Sequence, residues 1–373
     1  MPAAPISISS SSNWSGPPTQ GDLDYTDPAL REFNDSLDSQ QDALVFGEDA
    51  RFAPSYVLYT LEPGLYYQYY LDWKLQQQAA IREYVPGTFP LPIAYPFHIF
   101  EWGYEDETQR LIAFKDTWEG AIFLLYAMVV GEFRSRNLPM LGTTIKAKDL
   151  LSNSLDDKIE IISQLMDCAE ANGYDLDCTQ VIPRDAVERL RKFNRVRNDF
   201  IAHIAAKSHE QSRKLIDDYM EDMLALLYDL RGLQSVKLLR YVNSPGGPRN
   251  LRCEIFTGET NNRTHNILTV TMAQLIEAER YINPDNILFA VEGGHGVYSL
   301  SPYIHYKRAT GGQRTYLRVY KQKSGTEPNY RFSFETIGEA EEEEVDGAPF
   351  MDAVNEIRAL LPDLSRGKGG TRS

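Results

Sequence analysis

From residue 106 to residue 136 the apolar positions Leu111, Phe114, Trp118, Ile122, Leu125, Val129 and Phe133 recur at intervals of three and four. That is one face of a single helix, about eight turns long. A break at Pro139 and Gly142 follows, and residues 145–171 read as a second helix, stopped by Asn172-Gly173. Pro183 opens a third helix at its first turn, with Asp185 placed for the positive end of the helix dipole. Ser208 caps a fourth, whose Ile216, Met220, Met223, Leu227 and Leu230 alternate by four and three. Four helices joined by short breaks predict a bundle over residues 105–233.

After Gly232 the period changes to two. Residues 236–242, 251–256, 286–291, 297–306, 315–321 and 329–336 are rich in Val, Ile, Tyr, Phe and Leu and bounded by Gly, Asn and Pro, as strands are. A helix over 272–281 interrupts them, and another over 350–361 follows an acidic run at 339–346. This predicts an α+β domain over 234–363 and a loose tail at 364–373. Upstream, residues 1–52 are Ser/Pro/Gly-rich with scattered carboxylates, so a disordered N-terminal segment is expected. Residues 53–104 are expected to hold a helix at 61–84, with Trp73 and Leu75 on its apolar side. A connector made extended by Pro86, Pro90, Pro92 and Pro96 follows, its aromatics packed on the bundle. The fold class expected is multi-domain, α and α+β, with the helical bundle first.

Charge narrows the partners. The formal net charge of −15 opposes nonspecific adhesion to nucleic acid or anionic membranes, so any polyanion site must be local. Between residues 184 and 214 nine Lys/Arg face four Asp/Glu, a local excess of the opposite sign. Three cysteines, Cys168, Cys178 and Cys253, without a CxxC pair, indicate neither a disulfide framework nor a zinc site. The start of the chain lacks a basic, apolar leader, and the longest apolar run, AIFLLYAMVV at 121–130, is half of the ~20 residues that span a bilayer. A cytoplasmic protein without membrane attachment is expected.

The third helix carries the stretch RKFNRVRNDFIAHIAA, which puts Arg197, Asn198 and His203 within seven residues. A permanent cation, a polar amide and a base titrating near neutrality are what a phosphodiesterase needs if it works without a metal. Six helical positions separate Arg197 from His203 by about 240° and ~9 Å, so they cannot share one face of a straight helix. They converge if the helix ends or bends between them, or if two copies meet across a two-fold axis.

The stretch resembles the HEPN family, all-helical domains whose nuclease members carry Arg, four to six residues, then His, usually with a polar residue directly after the Arg. Arg197, Asn198 and, after five intervening residues, His203 match that pattern near the end of the third helix. The likeness covers roughly residues 105–232. It implies metal-independent endoribonuclease activity, with no cofactor, in a homodimer. In that chemistry Arg197 and His203 are catalytic, Asn198 positions, and the 2′-OH attacks phosphorus to leave 2′,3′-cyclic phosphate and 5′-OH ends. Arg191, Lys192 and Arg195 would bind the RNA, and a role in prokaryotic defence or a toxin-type stress response goes with the resemblance. The C-terminal domain would then sense, bind or restrain through an activating ligand or a regulatory protein. Some HEPN-like domains cut nothing, and a non-catalytic interaction or ligand-sensing module is the alternative.

Other candidates are lesser. Glu119, beside Trp118, can face the same cleft but reads first as a solvated helix-face carboxylate. Gly293-Gly294-His295-Gly296 lies between two strands with no following helix, so it reads as a hairpin turn rather than a phosphate cradle. His265, His295 and His305 lack ligand spacing for a metal. The acidic residues 341–344 read as a solvated loop, with a polyanion mimic covering the basic helix as the second reading.

Overall fold

The computed structural model describes residues 23–27, 30–39, 44–46, 50–201, 208–259, 264–271, 285–307, 316–325, 330–338 and 342–362. Helices come first and antiparallel sheets second, and the chain parts into two units. One takes the N-terminal residues to Tyr84 together with Met220–Asp229; the other takes Val85–Tyr219 and Leu230 onward. The boundary expected at 233/234 is therefore not where the units part, because the helices after Val85 group with the sheets rather than apart from them.

The first unit holds α1 (Arg31–Asp38), the hairpin β1 (Leu44–Phe46) and β2 (Ala50–Phe52), α2 (Pro54–Leu61), most of α3 (Pro63–Thr88) and the end of α8 (His209–Asp229). Its core is aromatic. Tyr66, Tyr70 and Trp73 fall at four- and three-residue spacing on α3, and Phe33 of α1 sits within 5.2, 5.5 and 5.5 Å of their ring centres. Tyr66 Oη donates to Asn34 Oδ1 at 2.7 Å, and Asp38 Oδ1 accepts from the Ser55 amide at 2.8 Å. Residues 31–38, 44–46 and 50–52 thus form regular structure inside a segment expected to be disordered: Phe33 supplies the apolar anchor that the segment's composition conceals. Leu75, expected beside Trp73, is exposed instead.

The second unit is built round α5 (Glu107–Ser135), capped by Asp106, whose Oδ1 accepts from the Gln109 amide at 2.9 Å. From Leu111 to Arg134 α5 is buried on nearly every side, as a helix packed between layers must be. Two glycines permit that: a Cβ on Gly120 would lie 2.1 Å from the Pro92 carbonyl oxygen, and one on Gly131 would lie 2.4 Å from that of Ser299. The proline-rich stretch expected to be extended is helical: Pro86 lies inside α3, and Pro92 and Pro96 lie in α4 (Leu91–His98), after which a π-helical turn at Ile99–Gly103 leads into α5. Proline fits a first turn, where no amide is needed, and Pro92 sits there.

The second helix begins later than expected. α6 (Leu155–Asn172) starts at Ser154, whose Oγ accepts from the Asp157 amide, and it ends at Gly173 in the left-handed conformation (φ +66°). Next come α7 (Arg184–Ile201) and α8, opened by a reciprocal pair: Ser208 Oγ accepts from the Gln211 amide and Gln211 Oε1 from the Ser208 amide.

Two antiparallel sheets complete this unit. One has the order β5-β4-β3-β6-β7, from β3 (Val236–Asn243), β4 (Asn250–Ile255), β5 (Thr264–Thr269), β6 (Leu288–Val291) and β7 (Tyr298–Ser299). The other has the order β11-β10-β9-β8, from β8 (Ile304–Lys307), β9 (Tyr316–Ser324), β10 (Arg331–Thr336) and β11 (Glu342–Asp346). The last helix, α9 (Ala348–Ala359), follows. The stretch read as one strand, 297–306, is thus divided between the two sheets. Within the acidic run, residues 342–346 are an edge strand and not a loop, while 339–341 lie outside the described residues; Glu343 pairs with Lys307 (3.7 Å) and Arg318 (3.6 Å) of the same sheet. The helix expected at 272–281 lies outside the described residues.

Candidate functional site

Three aromatic rings fix α7 against α5. Trp118 and Phe193 stack with centres 4.9 Å apart, and Phe114 meets both edge-on at 6.0 and 6.4 Å. Leu190 and Phe193 are buried, and Arg197 continues their face of α7 one turn further on. Glu119 follows Trp118 on α5. Arg197 Nε donates to Glu119 Oε1 at 2.8 Å, with the Glu119 side chain buried and the Arg197 side chain 39% exposed. This is a lateral hold: it uses one of the five N–H donors, and the other four belong to the terminal nitrogens.

Glu119 is therefore not the solvated helix-face carboxylate the sequence suggests. Burial pushes its carboxyl up, but Lys115, Lys321 and Arg197 together outweigh that and hold it below its ordinary value. Lys115 Nζ lies 3.4 Å from Glu119 Oε2 and 2.7 Å from Asp116 Oδ1. Lys321 of β9 pairs with Glu335 of β10 and stands 4.5 Å from the centre of the Phe123 ring. Asp116 behaves differently: burial, with Glu119 and Glu335 nearby, raises its carboxyl although Lys115 opposes this.

These groups line a cavity of about 420 Å³ between α4, α5 and strands β9 and β10, with Tyr95, Ile112 and Phe123 among its apolar walls. Sequence reasoning singled out none of Lys115, Asp116, Lys321 or Glu335, because they come together only when β9 and β10 pack on α5. An apolar helix face interrupted by Lys115-Asp116 was the one signal available.

Of the residues expected to act, Arg197 stands at this site. Asn198 is in α7, its side chain outside the described residues, and His203 lies outside them altogether. The basic face of α7 is partly matched by acids. Arg184 pairs with Asp167 (2.6 Å) and Glu170 (2.7 Å), Arg191 with Glu160 (3.3 Å) and Glu188, while Lys192 and Arg195 are exposed.

The glycine turn at 293–296 is anchored rather than open. Asp177 Oδ2 accepts from the amides of His295 (2.7 Å) and Gly296 (3.1 Å) and from Tyr298 Oη (2.8 Å). Buried Glu132 accepts from the amides of Asp177 (2.8 Å) and Cys178 (2.9 Å). His305 is buried against Phe334 and Phe350, and burial with Arg318 nearby lowers it to about 3. Among the described residues no three His, Cys, Asp or Glu side chains gather to hold a metal ion, and no helix is long and apolar enough to cross a membrane. The side chain of His265 is outside the described residues.

Compared with known proteins, the chain matches no family model, no curated protein and no solved structure.

Proposed function

We propose that this chain is a metal-independent endoribonuclease of HEPN type, acting through Arg197 and His203, with Asn198 as a positioning residue. The observation that carries the reading is the hold of Glu119 on Arg197. A guanidinium is planar whatever holds it; a buried carboxylate on Nε fixes the orientation of that plane and leaves the two terminal nitrogens, the pair that receives two oxygens of a phosphate. In the reaction the 2′-oxygen forms a bond to phosphorus and the bond to the 5′-oxygen breaks. His203 takes the 2′-OH proton, the leaving 5′-oxygen takes one from water, and Arg197 stabilises the charge on the pentacoordinate phosphorus. Cyclic phosphate and 5′-OH ends result.

Exposed Lys192 and Arg195, with Arg191, would steer the RNA backbone. A two-fold pair of α7 helices would bring two Arg197 and two His203 to one cleft, so the active species is a homodimer, acting in the cytoplasm in a defence or toxin-type response. The test is incubation with end-labelled single-stranded RNA in EDTA. Cleavage leaving cyclic phosphate ends, lost in Arg197→Ala and His203→Ala, supports the proposal; cleavage unchanged in both variants, or DNA cut as fast as RNA, refutes it.

A second reading has its own observation. The cavity beside Glu119 is large enough for a small molecule and has charged groups of both signs, as a ligand-sensing module that cuts nothing would have.

A further inference from the structure

The cavity between α4, α5 and strands β9 and β10 is short of positive charge. Asp116, Glu119, Glu335 and Glu342 line it against Lys115 and Lys321, so four carboxylates meet two ammonium groups. Arg197 holds Glu119 from outside the lining, which still leaves one carboxylate more than there are cations. The strand register shows where the surplus falls. Glu335 of β10 and Glu342 of β11 stand directly opposite one another, a cross-strand pair of like charges that costs stability unless a cation answers both. Lys321 pairs with Glu335, while Glu342 accepts from the Ser333 hydroxyl at 2.8 Å and meets no cation among the described residues. Lys115 is already shared between Asp116 at 2.7 Å and Glu119 at 3.4 Å. The other walls include Tyr95, Ile112 and Phe123, and about 420 Å³ is far more than a lone ion fills. Among the described residues no three carboxylates gather as metal ligands, so the missing charge belongs on an organic body.

We propose that this cavity binds a primary monoamine, its ammonium group received between Glu335 and Glu342 and its apolar body by Tyr95, Ile112 and Phe123. An ammonium suits that seat because its three N–H donors serve two carboxylates at once. One positive charge brings the lining into balance. An anion would add to the surplus, and a neutral ligand would leave Glu342 unanswered opposite Glu335. The carboxyl of Asp116 agrees: burial, with Glu119 and Glu335 nearby, keeps it raised although Lys115 opposes this, as expected where negative charge is in excess. The site does not depend on the RNA-cleaving reading, because no RNA has to be bound or cut for it to fill.

The experiment is a titration of the full chain at neutral pH with phenethylamine and with isopentylamine, read by ligand-observed NMR, each beside the alcohol and the carboxylate of the same carbon skeleton. The expected result is saturable binding of at least one amine, tighter than its alcohol by about tenfold or more, with no binding of the carboxylate, since only the amine makes charge-assisted pairs. Glu342→Gln, at an exposed position of the edge strand, should bring amine and alcohol to within about threefold of each other. Binding of neither amine overturns the proposal, as does an alcohol or carboxylate that binds the wild-type chain as well as its amine. An amine preference kept in full by Glu342→Gln overturns it too. Because the alcohols and carboxylates are tested on wild-type protein, the proposal can fail whether or not the variant folds.

Discussion

Arg197 Nε stands 2.8 Å from Glu119 Oε1, a bond between α7 and α5 across 78 positions of sequence, and Glu119 is also within 3.4 Å of Lys115. One buried carboxylate therefore serves the exposed guanidinium on one side and the cavity on the other. Because three cations stabilise it, the carboxylate stays charged where burial alone would neutralise it.

Replacing Glu119 by Gln tests that arrangement. The amide keeps the shape but cannot answer three cations, so stability at neutral pH should fall by roughly 1–3 kcal/mol, read by urea unfolding. The sign with pH follows from the direction. The folded-state carboxyl is lowered, so its contribution is present above the unfolded value and is lost as pH falls through the folded one. The acid limb of the stability profile should be shallower in Glu119→Gln; an identical limb would show that the three cations do not govern the carboxylate.

Arg197→Lys separates charge from geometry. Lysine keeps the positive charge but has no Nε to hold and no planar fork to present, so cleavage on the proposed mechanism should fall about 10²-fold, with a much smaller change in stability. Rates from single-turnover assays beside melting curves make the comparison. A variant that cuts as fast as wild type would mean that a point charge suffices and that the hold by Glu119 has no catalytic role.

Much of the helical frame was legible because periodicity and caps act locally. α5, α7 and α8 start within a residue of their signals at Asp106, Pro183 and Ser208. The proline stretch at 86–96 misled because proline's usual helical place is the first turn, which only Pro92 occupies; Pro86 lies inside α3 and Pro96 inside α4, positions that local preference disfavours, and the close fit of Pro92 against Gly120 is a contact no local signal shows. The acidic strand β11 was hidden since its carboxylates are tolerable in a sheet only beside Lys307, Arg318 and Arg331, whose register composition does not reveal. Glu119 was misjudged for the same reason: the cations that permit its burial include Arg197 and Lys321, remote in sequence. Arg197 itself was singled out from its neighbours in sequence alone, since Asn198 and His203 carry the motif with it.

His305 makes a prediction in the opposite sense from a surface histidine. Burial and Arg318 lower it to about 3, well under its unfolded value near 6.5. Below about pH 6.5 the unfolded chain binds a proton that the folded one refuses, so this group reduces stability progressively as pH falls. His305→Phe, placed among Phe334 and Phe350, should flatten that decline between about pH 6.5 and 4 in denaturant titrations. An unchanged slope would show that His305 becomes protonated in the folded chain.

Lys158 gives the last test, and the same linkage runs through a lysine. Its side chain is almost wholly buried, its ammonium donates to the Ser152 carbonyl and lies 5.3 Å from the Phe123 ring centre and 5.7 Å from that of Tyr126. Burial, with Lys321 nearby and only Asp157 opposing, brings it down to about 7. The unfolded chain holds this proton up to about pH 10.4, so folding gains stability as pH rises from 7 toward 10 and loses it in the other direction. Lys158→Met fills the same space without a charge. It should stabilise the protein by about 1–3 kcal/mol at pH 7 and by little at pH 10, so that the two unfolding curves converge as pH rises. If Lys158→Met is instead destabilising at both pH values, the bond to Ser152 outweighs the cost of burying the charge.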